Sequence, residues 1–159
     1  MHLASELFLE RAGIRILGVP YKGTGPALND TVAGHVQLLW GSVASTLPQV
    51  RAGKLRALAV TSLQRDAAAP EIPALAETLP GYEVLFWTGL LGPAAMPREL
   101  VLRLQRETAN ALREPANVRT LVADGGRVPA STPEEFAAFM KADTDKWTRL
   151  AKTIAITKE

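Results

Sequence analysis

The amino-acid sequence predicts an α/β fold built on a parallel sheet, and two observations carry that prediction. Short apolar runs occupy residues 14–19, 36–40 and 55–60, and the two helix-like stretches between them end in glycine, at Gly34 and Gly53. The connections between the runs are too long for hairpins, so the runs are expected to pair in parallel and to be joined by crossover helices. The order strand–helix–strand–helix–strand therefore predicts a βαβαβ unit.

The helices of this first part follow from local signals. Apolar residues recur at helical spacing from residue 3, and Gly13 can end a helix, which together predict a helix over residues 2–12. The sequence Gly-Thr-Gly-Pro opens a second predicted helix at about residues 23–33, because proline is favoured in a first helical turn. A third helix is predicted over residues 45–52, with an interruption near Pro48.

The rest of the chain begins with a connector. Prolines and alanines dominate residues 65–81, which predicts a connector with one short helix near residues 74–77. The elements predicted beyond it are an aromatic strand at 82–91, a helix at 98–113 stopped by Pro115, a helix at 116–124 capped by Gly125 and Gly126, a short strand at 127–130, and a final helix from Pro133 to about Ala151.

Composition excludes several classes of function. The 159 residues carry a formal charge of +2, and the basic residues are scattered among acids, which argues against nucleic-acid binding. There is no cysteine, so disulfides and thiolate chemistry are excluded. His2 and His35 lie far apart, have no obvious acidic partner, and do not have metal-ligand spacing. With no nucleophile-elbow motif either, the sequence supports no enzyme, no metal site and no cofactor.

Candidate ligand-binding residues stand at the predicted carboxyl ends of the first two strands, where open parallel sheets bind ligands. The first set is Tyr21, Lys22, Gly23, Thr24 and Gly25, and the second is Trp40, Gly41 and Ser42. Free amides at the start of the predicted helix would attract a carboxylate or a phosphate. The alternative is a tight turn that needs only glycine's backbone freedom. Lys22 would either add positive charge to an anion site or be solvated.

Several sequence stretches follow one another in a recognisable order. They are PYKGTGPALNDTVAGHV, LPQVRAGKLRALAVTS, APEIPALAETLPGYE, FWTGLLGPAAMP and STPEEFAAFM. Together they resemble the substrate-binding proteins of tripartite tricarboxylate transporters, the TctC or Bug family of periplasmic receptors. The resemblance runs from about His2 to the C-terminus. Family members normally begin with a signal peptide and an N-terminal lobe, so this chain is expected to lack the family's N-terminal segment.

The resemblance implies a type II periplasmic-binding-protein-like fold with a parallel-sheet lobe and part of a second lobe. Residues 1–64 would form the ligand-binding lobe, residues 65–81 the connector, and residues 82–159 a crossing strand with the C-terminal helices of the other lobe. A hinge is expected at Trp87, Thr88 and Gly89, although a buried strand with glycine for close packing is an equal alternative. The family often has aspartate and asparagine where this chain has Gly41 and Ser42, which favours a simple carboxylic acid over an amino acid as ligand.

The function implied is that of a receptor which holds a small mono-, di- or tricarboxylate through main-chain amides and presents it to a membrane permease. Two alternatives stay open: a nonfunctional truncated remnant, and a ligand-sensing module of a regulatory complex. The N-terminal residues do not form a signal peptide, so we expect a cytoplasmic chain if Met1 is the true start, although the family is periplasmic. Strands that lose neighbours become edges, which predicts a homodimer or another cover for that surface.

Overall fold

The computed structural model describes residues 2–123 and 127–153, and the chain divides into two compact units, Met1–Phe86 and Trp87–Glu159. The helices are α1 (His2–Ala12), α2 (Thr24–Val32), α3 (Val43–Arg51), a short 3₁₀ turn (Leu75–Glu77), α4 (Arg98–Arg113), α5 (Pro115–Ala123) and α6 (Pro133–Thr153). None of the helices in the described ranges is long and apolar enough to cross a membrane.

The predicted strands do not form ladders within the described residues, so the parallel sheet that the sequence predicts is not observed there. Residues 14–19, 36–40, 55–61, 82–91 and 127–130 contain neither helix nor strand, apart from one isolated parallel bridge between Val60 and Ala74. A strand satisfies its backbone through hydrogen bonds to a neighbouring strand, and the described residues of these runs form no such ladder.

The single bridge joins the third apolar run to the connector. The Val60 N–H donates to Pro73 O at 2.9 Å, and the Leu75 N–H donates to Val60 O at 2.9 Å. The next residue, Thr61, accepts from the Val84 N–H at 2.9 Å and donates its hydroxyl to Val84 O at 2.8 Å. Beyond Leu55, whose N–H donates to Gln49 O at 3.3 Å as α3 ends, the backbone partners of this segment in the described residues lie at Val60 and Thr61.

The first unit has two small apolar clusters. In the first, Leu47 of α3 packs with residues of the third run and the connector, which are Val60, Ala69, Ile72 and Ala74. In the second, the fully buried Tyr82 donates its hydroxyl to Ala4 O of α1 at 2.9 Å. Burial raises the pKa of Tyr82 to about 12.

Glycines end α2 and α3 as the sequence predicts. Gly34 has φ 81° and Gly53 has φ 70°, which are left-handed conformations that favour glycine after a helix. Pro48 is the sixth residue of α3, and the helix nevertheless continues to Arg51. The missing proline N–H removes one interior hydrogen bond, and the helix tolerates that loss.

In the second unit, Pro115 starts a helix as well as ending one. Glu114 alone separates α4 from α5, and proline is well suited to the first helical position because its N–H would be unpaired there. Helix α6 begins with a reciprocal cap, in which the Thr132 N–H donates to Glu135 Oε2 at 2.8 Å and the Glu135 N–H donates to Thr132 Oγ1 at 3.2 Å. The predicted glycine cap at residues 125 and 126 lies outside the described residues.

We expect Tyr82→Phe to lower the free energy of unfolding by about 1 kcal/mol, because it removes a buried hydrogen bond and leaves the ring in place. Tyr21→Phe is the matched control, since its hydroxyl bond lies at a partly exposed site and its loss should destabilise less. Urea unfolding of the two variants checks this. Equal midpoints for both variants would contradict it.

The Glu77 carboxylate fixes the turn beside the Val60–Ala74 bridge, and we expect its protonation to lower the stability of the fold. Glu77 accepts from Arg65 at 2.8 and 2.9 Å and from the Ala74 N–H at 2.8 Å, and these bonds lower the pKa of Glu77 from 4.5 to about 2. Because the pKa of Glu77 is lower in the folded state than in the unfolded state, its carboxylate contributes to the free energy of unfolding above about pH 4.5. That contribution is lost as the pH falls toward 2.

Glu77→Gln should therefore flatten the decline in the urea midpoint over that pH window. Glu71→Gln removes the same charge from an exposed residue of the same connector and should leave the decline unchanged. Parallel pH profiles for the parent and Glu77→Gln would rule out this role for the carboxylate.

Candidate functional site

The loop before α2 has a backbone conformation that requires glycine. Gly23 has φ 105° and ψ 175°, a region that residues with a Cβ essentially do not enter. Its N–H donates to Tyr21 O at 2.9 Å and closes a tight turn directly before the helix. The glycine thus sets the angle at which the chain enters α2.

The start of α2 exposes two backbone donors. The N–H groups of Thr24 and Gly25 have no backbone acceptor in the part of the chain that the structure describes, and Pro26 has no N–H to offer. Gly23, which precedes them, makes no side-chain cap. N–H groups without an acceptor at the positive end of a helix can donate to an anion, and the exposed Lys22 lies two residues before Thr24 in the sequence.

A polar cluster holds this loop to the far end of α2. The Tyr21 hydroxyl donates to Asp30 Oδ2 at 2.7 Å, and His35 Nδ1 lies 3.4 Å from Asp30 Oδ1. The Tyr21 hydrogen bond, followed by that of His35, lowers the pKa of Asp30, and the bond to Asp30 raises the pKa of Tyr21. The Tyr21 hydroxyl is therefore engaged in anchoring the loop. The expectation that the two histidines lack an acidic partner was wrong, since His2 Nε2 also lies 3.3 Å from Glu6 Oε1.

The second predicted segment lies at the start of α3. The Trp40 ring packs against Phe8 with ring centroids 5.4 Å apart and against Tyr82 at 6.5 Å. A Cβ on Gly41 would collide with the Thr46 methyl group, so this position has no room for a side chain. The Ser42 hydroxyl lies 2.7 Å from the Ser45 hydroxyl.

The two segments belong to the same unit, and helices α2 and α3 pack against each other. Within the described residues, no hydrogen bond or ring contact joins residues 21–25 to residues 40–42. The same described ranges contain no group of three or more His, Asp or Glu side chains that could hold a metal ion.

The predicted hinge residues are packed against α6 in the second unit. The Trp87 ring contacts Phe136 and Phe139 edge-on at 5.5 Å each, and its indole N–H donates to Asp143 Oδ2 at 3.1 Å. A Cβ on Gly89 would collide with the Phe136 ring, so glycine is needed there for close packing. Thr88, between them, is exposed.

Three residues that organise these segments were missed from sequence. Asp30 and Phe8 fix the two candidate loops, and Asp143 accepts from Trp87 and, at 3.0 Å, from the Trp147 indole N–H. The spacing of Asp143 and Trp147, one helical turn apart, was the available signal for the second of these bonds. Trp87 and Asp143 lie 56 positions apart, and Tyr21 and Asp30 lie nine positions apart across a turn, so neither pair has a helical spacing that the sequence could show.

Comparison with known proteins identifies the family. Residues 1–156 match the model of the tripartite tricarboxylate transporter family receptor, TctC. The chain belongs to the TctC family. A protein from the tcbD-tcbE intergenic region of Pseudomonas sp. strain P51 is 41% identical over 152 residues, which cover 94% of this chain and 45% of that relative. A protein from the clcB-clcD intergenic region of Pseudomonas knackmussii is 34% identical over 152 residues, covering 94% of this chain and 90% of that relative.

Solved TctC-like structures have the same backbone arrangement over half their length. An R. palustris protein solved with adipate is 33% identical, with a TM-score of 0.85 over 96% of this chain and 51% of its own. MatC from Rhodopseudomonas palustris, solved with bound malate, is 29% identical, with a TM-score of 0.80 over 94% of this chain and 52% of its own. The chain thus spans about half the length of these structures and of the strain P51 relative.

Two glycines of the TctC loop give a matched test. Gly23→Ala should lower the free energy of unfolding by about 1–3 kcal/mol, because alanine is strained at φ 105°. Gly25→Ala lies inside α2 outside the left-handed region and should destabilise less than Gly23→Ala, although the following Pro26 disfavours a helical residue that carries a Cβ. Thermal or urea unfolding measures both effects. Stabilisation by Gly23→Ala would show that the loop has another conformation in solution.

Proposed function

We propose that this TctC-family chain is the ligand-binding portion of a receptor that holds a small carboxylic acid and delivers it to a tripartite tricarboxylate-type transporter. The observation that carries the proposal is the start of α2, where the Thr24 and Gly25 amides lack backbone acceptors beside the exposed Lys22. A carboxylate could accept from both amides while Lys22 supplies the opposite charge. The adipate and malate present in two similar structures support a carboxylate as the ligand class.

The candidate residues divide into ligand-facing and supporting groups in this proposal. Lys22, Thr24 and Gly25 would meet the carboxylate. Tyr21 and Gly23 would set the loop, since one is bonded to Asp30 and the other closes the turn. At the second segment, Gly41 and Ser42 would present the start of α3, while Trp40 supports them through its ring contacts.

We propose the same lobe arrangement that the family resemblance implies, with residues 1–64 as the binding lobe, 65–81 as the connector and 82–159 as the contribution to the other lobe. The proposed hinge lies at Trp87, Thr88 and Gly89. It is supported by the unit boundary, which falls between Phe86 and Trp87. Because Trp87 and Gly89 are held against α6, rotation at that boundary would leave their contacts intact.

A second candidate function is a folded chain that binds no acid by itself. The observation behind it is that residues 21–25 and 40–42 share no hydrogen bond or ring contact within the described ranges. A site whose two halves need further structure to converge would have little affinity in isolation.

Thermal unfolding with a panel of mono-, di- and tricarboxylates separates these candidates. We expect one class of acid to stabilise the chain, by about 2.7 kcal/mol at a hundredfold excess over its dissociation constant. Lys22→Ala should reduce the shift severalfold, whereas Lys54→Ala, an exposed lysine in the turn after α3, should leave it unchanged. A cooperative transition that no acid moves would contradict receptor activity by the chain alone.

A further inference from the structure

One residue of α2 holds the chain on both sides of the helix. The Asp30 side chain accepts from the Tyr21 hydroxyl at 2.7 Å, from a residue that precedes the helix. The Asp30 main-chain oxygen accepts from the His35 N–H at 2.9 Å and from the Val36 N–H at 3.5 Å, both beyond the helix end. Gly34, with φ 81°, makes the turn that brings these two amides onto the helix. Asp30 thus joins the candidate ligand loop to the start of the second apolar run.

The bond between Tyr21 and Asp30 spans most of the helix. Tyr21 stands three residues before α2 begins at Thr24, and Asp30 is the seventh residue of this nine-residue helix. At a rise of about 1.5 Å per residue, Asp30 lies about 9 Å further along the helix axis than Thr24. The Tyr21 side chain therefore runs along the side of α2 to reach the carboxylate. This orientation fixes Tyr21, whose carbonyl oxygen accepts from the Gly23 N–H at 2.9 Å.

The Tyr21 hydroxyl is the main partner of the Asp30 carboxylate. A hydroxyl that donates to an ionised carboxylate forms a stronger bond than a pair of neutral groups. The pKa of Asp30 is lowered, and the bond from Tyr21 is the largest cause. His35 Nδ1 lies at the longer distance of 3.4 Å from the other carboxylate oxygen, and the histidine side chain is 71% exposed. The loop is therefore held to α2 chiefly through the tyrosine.

We propose that Asp30 is a positioning residue of the carboxylate site, which holds the Thr24 and Gly25 amides in their receptive conformation by anchoring Tyr21. This inference rests on the proposed function and adds to it a residue that does not touch the ligand. The physical argument concerns populations, because an acid binds only the fraction of molecules in which the loop is receptive, and the apparent affinity falls with that fraction. Without the anchor, the loop retains the single turn bond from Gly23 to Tyr21 O.

The affinity of the whole chain for malate and for adipate, measured by calorimetry well below the unfolding temperature, tests the proposal. Asp30→Ala should weaken binding about tenfold, because losing a hydrogen bond to a charged group shifts an equilibrium by about that factor. Tyr21→Phe removes the donor, keeps the ring and should weaken binding by the same factor. If both variants break one bond, the double variant should bind no more weakly than either single variant.

Two further variants distinguish positioning from a general effect on the helix. Asp30→Asn keeps a side-chain oxygen that can accept from Tyr21, and a neutral acceptor should hold affinity within about threefold of the parent. Asn29→Ala is the matched control, since Asn29 is the exposed neighbour of Asp30 on α2 and the structure describes no hydrogen bond from its side chain. It should bind both acids as the parent does.

The Gly23 amide gives a second measurement that needs no ligand. Its hydrogen bond to Tyr21 O closes the turn, so hydrogen exchange at Gly23 reports whether the loop is held. Exchange at Gly23 should be severalfold faster in Asp30→Ala and Tyr21→Phe than in the parent, and unchanged in Asn29→Ala. If the parent binds neither acid, the carboxylate proposal fails, and Gly23 exchange alone then decides whether Asp30 positions the loop.

Three results would overturn the inference. One is parent-like affinity and parent-like Gly23 exchange in Asp30→Ala. Another is a loss of affinity in Tyr21→Phe that Asp30→Ala does not share, which would mean that the hydroxyl meets the ligand itself. The last is binding by Asp30→Asn or Asn29→Ala that is as weak as binding by Asp30→Ala, because the effect would then not follow the bond to Tyr21.

Discussion

A helix pairs its backbone within itself, whereas an extended segment must find its hydrogen bonds in another segment, and this difference governs the whole chain. The helices α1 to α6 form from local sequence. The apolar runs between them have the composition of buried strands, yet within the described ranges their only ladder-like pairing is the bridge of Val60 with Ala74. Exposed apolar side chains follow directly from that lack of neighbours.

The candidate ligand loop is independent of those missing neighbours because its anchors are local. Gly23 closes the turn onto Tyr21, and Tyr21 is held by Asp30 nine residues away on the helix that the turn begins. A loop fixed by its own helix can present the Thr24 and Gly25 amides whether or not the sheet is assembled. Whether this loop meets the second segment, at Gly41 and Ser42, is a long-range property. It depends on the packing of the apolar runs between them.

The parts of the fold that the sequence predicts well are those with short-range causes. The helix over residues 98–113 agrees with its structure residue for residue, and the glycines after α2 and α3 adopt left-handed φ values. Apolar periodicity and capping residues are enough for such elements. The apolar runs have a strand-like composition but form no strand in the described residues, because pairing requires partners that no local pattern specifies.

Within the candidate site, the limits of prediction have the same origin. Glycine's role at Gly23 could be predicted because a turn before a helix is local. Trp40 contacts Phe8 and Tyr82, and the Phe136 ring lies close to Gly89. These contacts join residues more than thirty positions apart, and no sequence pattern predicts them. From sequence, the hinge and close-packing interpretations of Gly89 were equal alternatives. The Phe136 ring beside Gly89 supplies a packing reason for glycine, and the hinge stays a proposal supported by the unit boundary.

The central claim is that the apolar runs have the composition of strands but no neighbouring strand in the described residues. Amide hydrogen exchange at residues 14–19 tests it most directly, because exchange reports whether each N–H has a hydrogen-bond acceptor. The account predicts fast exchange at residues 15–19 and slow exchange in the middle of α4. Protection of residues 15–19 in the monomeric chain would contradict it.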